Sequence, residues 1–175
     1  MNPAPSPPLF GTLVDSFVGR VSVVVLPDGT LWSCGFEGPD GRLPVGVVED
    51  PVATADVAAQ VAAYFQGERR TFDVRRAQRG TSFQRRVWDA ITAIPFGCTA
   101  SYGEIAASLG RPGAARAVGQ AAGSNPCPIV VPCHRVVASG GRLGGFSGGL
   151  FGGTDVKERL LAFEGAAIRP TRPAA

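Results

Sequence analysis

Gly110-Arg111-Pro112-Gly113 forces the chain to turn between two short stretches of helical periodicity. Upstream, Tyr102, Ile105, Ala106 and Leu109 recur at helical spacing behind Ser101, a residue suited to cap a helix. Downstream, Ala114 to Gly123 forms a second helical stretch. Two short helices joined by a tight glycine-containing turn predict a helix-turn-helix. A further helix precedes them, capped by Thr81 or Ser82 and running to Ala93, with Phe83, Val87, Ile91 and Ile94 on its apolar face and Pro95-Phe96-Gly97 ending it. Residues 79–167 are thus expected to form a mostly α C-terminal domain.

The first half of the chain has a different rhythm. From Thr12 to Phe36 the pattern is of strands: Val21, Val23 and Val25 alternate with Ser22 and Val24, and Pro27-Asp28-Gly29 turns the chain into Leu31 to Phe36. Gly38 to Pro51 is expected to be loop, and Asp56 to Gln66 a helix stopped by Gly67. A boundary near Arg75 to Gly80 closes an α/β domain over 9–78, a small antiparallel sheet plus a helix. Residues 1–8 and 168–175 are expected to be disordered or flexible tails.

Composition narrows the class. No run of about 18 apolar residues exists, so no membrane helix is expected. The opening MNPAPSPPLF has neither a basic nor an apolar leader region, which argues against secretion, and a cytoplasmic location is the default expectation. Four cysteines with no CxxC pair, and a single histidine, argue against a zinc cluster, and Cys34, Cys98 and Cys127 are expected to be small buried hydrophobes. Residues 1–67 hold two arginines against seven carboxylates, whereas residues 68–175 hold fifteen basic groups against seven acidic ones. From charge alone, a polyanion-binding face in the second half and ordinary solvated charge read equally well.

The second helix of the helix-turn-helix, AARAVGQAAG, is poor in base-reading side chains, with Arg116 and Gln120 among Ala and Gly. Small side chains let a helix backbone approach closely, which suits a minor groove bound without regard to sequence, with Arg116 long enough to enter the base stack. They equally suit a tightly packed internal helix.

Chemistry concentrates further on. Asn125-Pro126-Cys127-Pro128 predicts a turn and Ile129-Val130-Val131 a short buried strand, followed at once by Pro132-Cys133-His134-Arg135. A thiol becomes a strong nucleophile as thiolate, which needs a base or a positive neighbour. His134 is the candidate base, although strand geometry would send adjacent side chains to opposite faces, so a bend or a bridging water is required. Glu164, after a helix from Val156 to Phe163, is the candidate to orient the imidazole. On these residues alone, a buried thiol beside a hydrogen-bonded histidine stays open. Gly140 to Gly153 reads as a shaped loop near a ligand or as a flexible surface loop.

GTSFQRRVW, IPFGCTASYGEIA, the run Ala114 to Asn125, PIVVPCHRVV and SGG...KERLLAFEG together resemble the O6-alkylguanine-DNA alkyltransferase family, nearly continuously from Gly80 to Gly165. The resemblance implies a ribonuclease-H-like N-terminal domain, a winged-helix-like C-terminal domain, and a protein that flips an alkylated base out of duplex DNA. It implies Cys133 as alkyl acceptor, His134 as the base drawing its proton through a bound water, Glu164 as the carboxylate orienting His134, and Asn125 as a hydrogen-bonding member of this network. It further implies Tyr102 as the aid to base rotation and proton donor to the departing guanine. Arg116 fills the vacated stack; Ala114, Ala115, Gly119, Gln120 and Ser139 join it and Tyr102 in meeting DNA. Val136 (through its carbonyl), Phe146 and Ser147 contact the flipped base. No cofactor or metal is implied, and the partner is double-stranded DNA, bound in the minor groove by a monomer.

Three departures from the family pattern stand out. Phe146 replaces a common tyrosine, the chain is longer between Gly149 and Lys157 (Leu150 to Val156), and the family's zinc-binding form is excluded because the first half has Cys34 but no histidine. Among rivals, a non-enzymatic class that only flags damaged bases lacks the acceptor cysteine. A Cys-His-Glu hydrolase would need an oxyanion hole and would leave the helix-turn-helix unexplained, and a transcription regulator would need a better base-reading helix and a separate sensing domain.

Overall fold

The computed structural model describes residues 7–38, 41–144 and 153–167, and the chain divides into two compact units, Met1–Ala77 and Gln78–Ala175. Most of both expected tails lies outside the described residues.

In the first unit, strands β1 (Leu9–Ser16), β2 (Gly19–Val25) and β3 (Leu31–Gly38) form an antiparallel meander, with Phe10 opposite Val25 and Val23 opposite Cys34. The β2–β3 turn is fixed by the Thr30 amide donating to Asp28 Oδ1 at 3.0 Å and by Gly29 at a φ of 78°. A fourth strand, β4 (Val47–Glu49), lies where a loop was expected and pairs parallel with β1, giving the order β3-β2-β1-β4. The sheet is therefore mixed rather than antiparallel. Gly11 explains the docking: a Cβ there would stand 2.6 Å from Val47 Cγ1, so only a glycine lets β4 approach. Helix α1 (Ala55–Phe65) follows, burying Val57, Val61 and Tyr64. Its buried Gln60 is satisfied by the Asp73 amide at 2.9 Å and by Arg69 at 3.0 Å.

The second unit is mostly helical. Helix α2 (Ser82–Thr92) starts at Thr81, whose hydroxyl and the Gln84 side chain form a reciprocal capping box. Its buried face carries Trp88 beside Val87 and Ile91, and the indole N–H donates to the Ala121 carbonyl at 2.8 Å. Helix α3 (Tyr102–Ser108) begins with a second capping box, Ser101 with Glu104, and α4 (Ala115–Gly123) buries Val118, Ala121 and Ala122. Two short parallel strands, β5 (Ala100–Ser101) and β6 (Val136–Val137), join the segment before α3 to the segment after Cys133. Helix α5 (Gly153–Phe163) ends the described fold. It starts before Val156, so residues 153–156 of the longer stretch are its first turn. Among the described residues no helix is long and apolar enough to cross a membrane.

Candidate active site

The segment after α4 is held by one side chain. Asn125, 9% exposed, accepts from the Cys127 amide through Oδ1 at 3.0 Å; its Nδ2 faces the Val131 carbonyl at 2.8 Å and Cys133 Sγ at 3.3 Å. Ile129–Val131 is not the strand expected of it. The chain turns tightly there, with Ile129 at a φ of 75° and the Val131 amide donating to the Cys127 carbonyl at 2.8 Å. A β-branched residue in the left-handed region is strained, and the hydrogen bonds of Asn125 hold it.

Cys133–Arg135 is a single 3-10 turn. With about three residues per turn, successive side chains diverge by roughly 120° rather than alternating between two faces, which removes the obstacle posed by strand geometry. Cys133 reaches Asn125, while His134 and Arg135 both reach Glu164, just past α5. His134 Nε2 lies 2.8 Å from Glu164 Oε1; Arg135 Nε donates to Oε2 at 2.8 Å and Nη2 to Oε1 at 2.9 Å. A carboxylate only accepts, so Nε2 carries the proton and the Nδ1 lone pair is left for acid–base work. Gly97, at a φ of 77°, donates its N–H to Glu164 Oε2 at 3.2 Å, and a Cβ there would stand 2.9 Å from the Glu164 carbonyl.

Arg135 and Lys157 belong to this site although neither was assigned a role from sequence. Lys157 is 0% exposed and donates to the Val136 carbonyl at 2.6 Å and the Leu143 carbonyl at 2.5 Å. It thus occupies the carbonyl expected to meet the flipped base. Its signal was present in sequence: it is the chain's single lysine, and it sits on the buried face of α5 with Val156, Leu160 and Leu161.

Burial sets the protonation states. It pushes the Cys133 thiol up, against the Asn125 hydrogen bond and the charge of Lys157. The resting thiol therefore keeps its proton and needs an acceptor. Burial pushes His134 down against Glu164, and brings Lys157 down to about 8. The Tyr102 phenol is raised by burial and then by Cys133, which keeps it a proton donor. The Tyr102 ring lies beside Gly119, where a Cβ would stand 3.7 Å away, and beside Gly144, where a Cβ would stand 3.5 Å away.

The residues expected to meet DNA are divided between α4, the start of α3 and a 3-10 turn after β6. Arg116 and Gln120 are exposed one turn apart on α4, opposite Val118, Ala121 and Ala122, while Ala114, Ala115 and Gly119 are half-buried. Ser139 is exposed in a 3-10 turn and, with Ser101, Glu104 and Gly140, lines a depression of about 460 Å³. Val136 is buried, and Phe146 and Ser147 lie outside the described residues. Cys34 and Cys127 are buried as expected, but Cys98 is exposed, because it follows the Gly97 turn rather than a core element.

A helix-turn-helix unit whose buried thiol stands beside a histidine–carboxylate pair defines a class, proteins that carry a nucleophilic cysteine on a DNA-binding scaffold. Comparison with known proteins narrows it. A family described as 6-O-methylguanine DNA methyltransferase, DNA binding domain, matches residues 82–166. The methylated-DNA–protein-cysteine methyltransferase of Mycolicibacterium paratuberculosis is 55% identical over 119 residues, 68% of this chain and 70% of that protein. The one of Methanosarcina acetivorans is 47% identical over 125 residues, 71% and 78% of the two chains. The crystal structure of Mycobacterium tuberculosis O6-methylguanine methyltransferase superposes with a TM-score of 0.78 at 41% identity, covering 90% of this chain and 93% of the other. That of Mycobacterium tuberculosis OGT in complex with DNA gives the same TM-score, 0.78, over 89% and 92%. The chain belongs to the methylated-DNA–protein-cysteine methyltransferase family.

Proposed function

We propose that this protein repairs DNA by moving the alkyl group from O6 of guanine onto Cys133. The observation that carries the reading is that one 3-10 turn carries both a buried thiol, 3.3 Å from Asn125 Nδ2, and His134, which lies 2.8 Å from Glu164. The DNA complex of the Mycobacterium tuberculosis relative supports DNA as the partner.

In this reading Arg116 enters the stack as the damaged base swings out past Tyr102, and Gly119 and the alanines of α4 allow close approach to the minor groove without base reading. Val136, Phe146 and Ser147 meet the flipped base, the Val136 carbonyl once it is shared with or released by Lys157. Sγ of Cys133 attacks the alkyl carbon as the C–O6 bond breaks. The thiol proton passes through a bridging water to His134 Nδ1, and Tyr102 protonates the departing guanine, a poor leaving group as an anion. The product is a thioether that none of the described residues of the site is equipped to cleave, so each molecule acts once. No metal or organic cofactor enters any step.

The finer architecture follows the same reading: a ribonuclease-H-like first domain (residues 9–78) and a winged-helix-like second domain (79–167), the latter supported by the β5–β6 pair beside the helix-turn-helix. We further propose a monomer acting in the cytoplasm.

The test is stoichiometry. With excess duplex bearing one O6-methylguanine, removal of the lesion should plateau at one per protein molecule. Tight binding with no removal would move the protein to the damage-flagging class, and continued turnover would exclude a self-alkylating thiol.

A further inference from the structure

Glu164 serves two basic groups at once. Its Oε1 lies 2.8 Å from His134 Nε2 and 2.9 Å from Arg135 Nη2, and its Oε2 accepts from Arg135 Nε at 2.8 Å. Arg135 is fixed in turn: Nη1 donates to the Ile94 carbonyl at 2.7 Å, and its guanidinium stands 5.8 Å from the Phe96 ring centre. The side chains of His134, Arg135 and Glu164 are 1%, 5% and 0% exposed, so water screens none of these charges.

A lone carboxylate against an imidazole in a dry pocket favours the imidazolium. An imidazolium already formed at rest cannot take the thiol proton, so the pull of Glu164 helps the base only while something else, burial first, keeps the resting ring neutral. Here the guanidinium is directed at the same two oxygens. We propose that Arg135 offsets the charge of Glu164 and so keeps His134 in the neutral form that accepts a proton. Arg135 is then a positioning residue for the base, acting through Glu164 without touching the reacting atoms.

The other groups facing His134 do not undo this. From α5 and its end come Lys157 and Glu164, and from its own turn Arg135, whose Nη1 is taken up by the Ile94 carbonyl. Burial, Arg135 and Lys157 all disfavour the imidazolium, and Glu164 alone favours it. The charge assignment stands apart from what the site alkylates; its consequence for rate rests on His134 as the base of the proposed function.

The chain's only histidine gives a single imidazole signal, so NMR titration reads His134 without ambiguity. In Arg135→Met the midpoint should rise by about 1 pH unit, the size expected when a charge at contact distance is removed. In Glu164→Gln it should fall, and in the double variant Arg135→Met/Glu164→Gln it should return near the native value. An Arg135→Met midpoint equal to the native one overturns the proposal. Should Arg135→Met not fold, the same charge is read as the difference between Glu164→Gln and the double variant, and no difference overturns it equally. A purely structural clamp would change stability but not this midpoint. The rate of methyl transfer against pH is measured in parallel: a risen midpoint with an unmoved rate profile leaves the role of Arg135 standing and removes His134 as the base.

Discussion

The two units bury polar groups of different kinds. Among the described residues, the first unit buries Ser22, Thr30, Thr54 and Gln60, all neutral, whereas the second buries Asn125, His134, Arg135, Lys157 and Glu164. Neutral groups cost little once hydrogen-bonded: Gln60 ties the α1 helix to residues 69–73, and Thr54 donates to the Asp50 carbonyl at 2.9 Å. Buried charges are costly even when paired and are weak contributors to stability. Their concentration around one thiol in one unit marks where stability has been given up for chemistry.

That contrast gives graded expectations. Glu164→Gln should be the most damaging, because it leaves the buried Arg135 without its carboxylate; we expect a loss of about 3–5 kcal/mol in denaturant unfolding. Gln60→Ala in the first unit should cost only about 1–3 kcal/mol, the penalty of unsatisfied neutral partners. Equal losses at the two positions would break the contrast.

A smaller effect is expected from acid. Burial lowers His134 below its usual 6.5, so below that pH the unfolded chain takes up a proton that the folded chain refuses. Stability should therefore fall as pH drops through about 6.5 and level off once the folded histidine also protonates. Urea midpoints at pH 7.5 and 5.5 should differ more for the native protein than for His134→Gln. Smallest of all, Arg116→Ala on the exposed face of α4 should leave stability within about 0.5 kcal/mol. It should weaken duplex binding by about tenfold, the scale of one lost stack-filling side chain.

Legibility in sequence followed the range of the interactions. Helices α2 and α3 were readable because Thr81 and Ser101 announce their starts locally and their apolar spacing repeats within a few residues, and α4 because the Gly110-Arg111-Pro112-Gly113 break sets it off. Strand β4 was not, since its three residues gain their structure from β1 across the chain and from the missing Cβ of Gly11. Ile129-Val130-Val131 misled because β-branched residues suggest a strand while Asn125 holds them in a turn. The thiol, histidine and carboxylate were candidates by residue type, family resemblance gave them their roles, and the 3-10 turn supplies the geometry that strand-like adjacency would forbid. Arg135 and Lys157 escaped because charged residues are ordinarily read as surface.

The measurement that tests the account most directly is intact mass after incubation with duplex DNA containing one O6-methylguanine, with Cys133→Ser in parallel. The account predicts the gain of a single methyl group on the peptide carrying Cys133, absent in the variant and matched by restored guanine. A methyl group on another residue, or an unchanged mass from folded protein bound to the lesion, would contradict it.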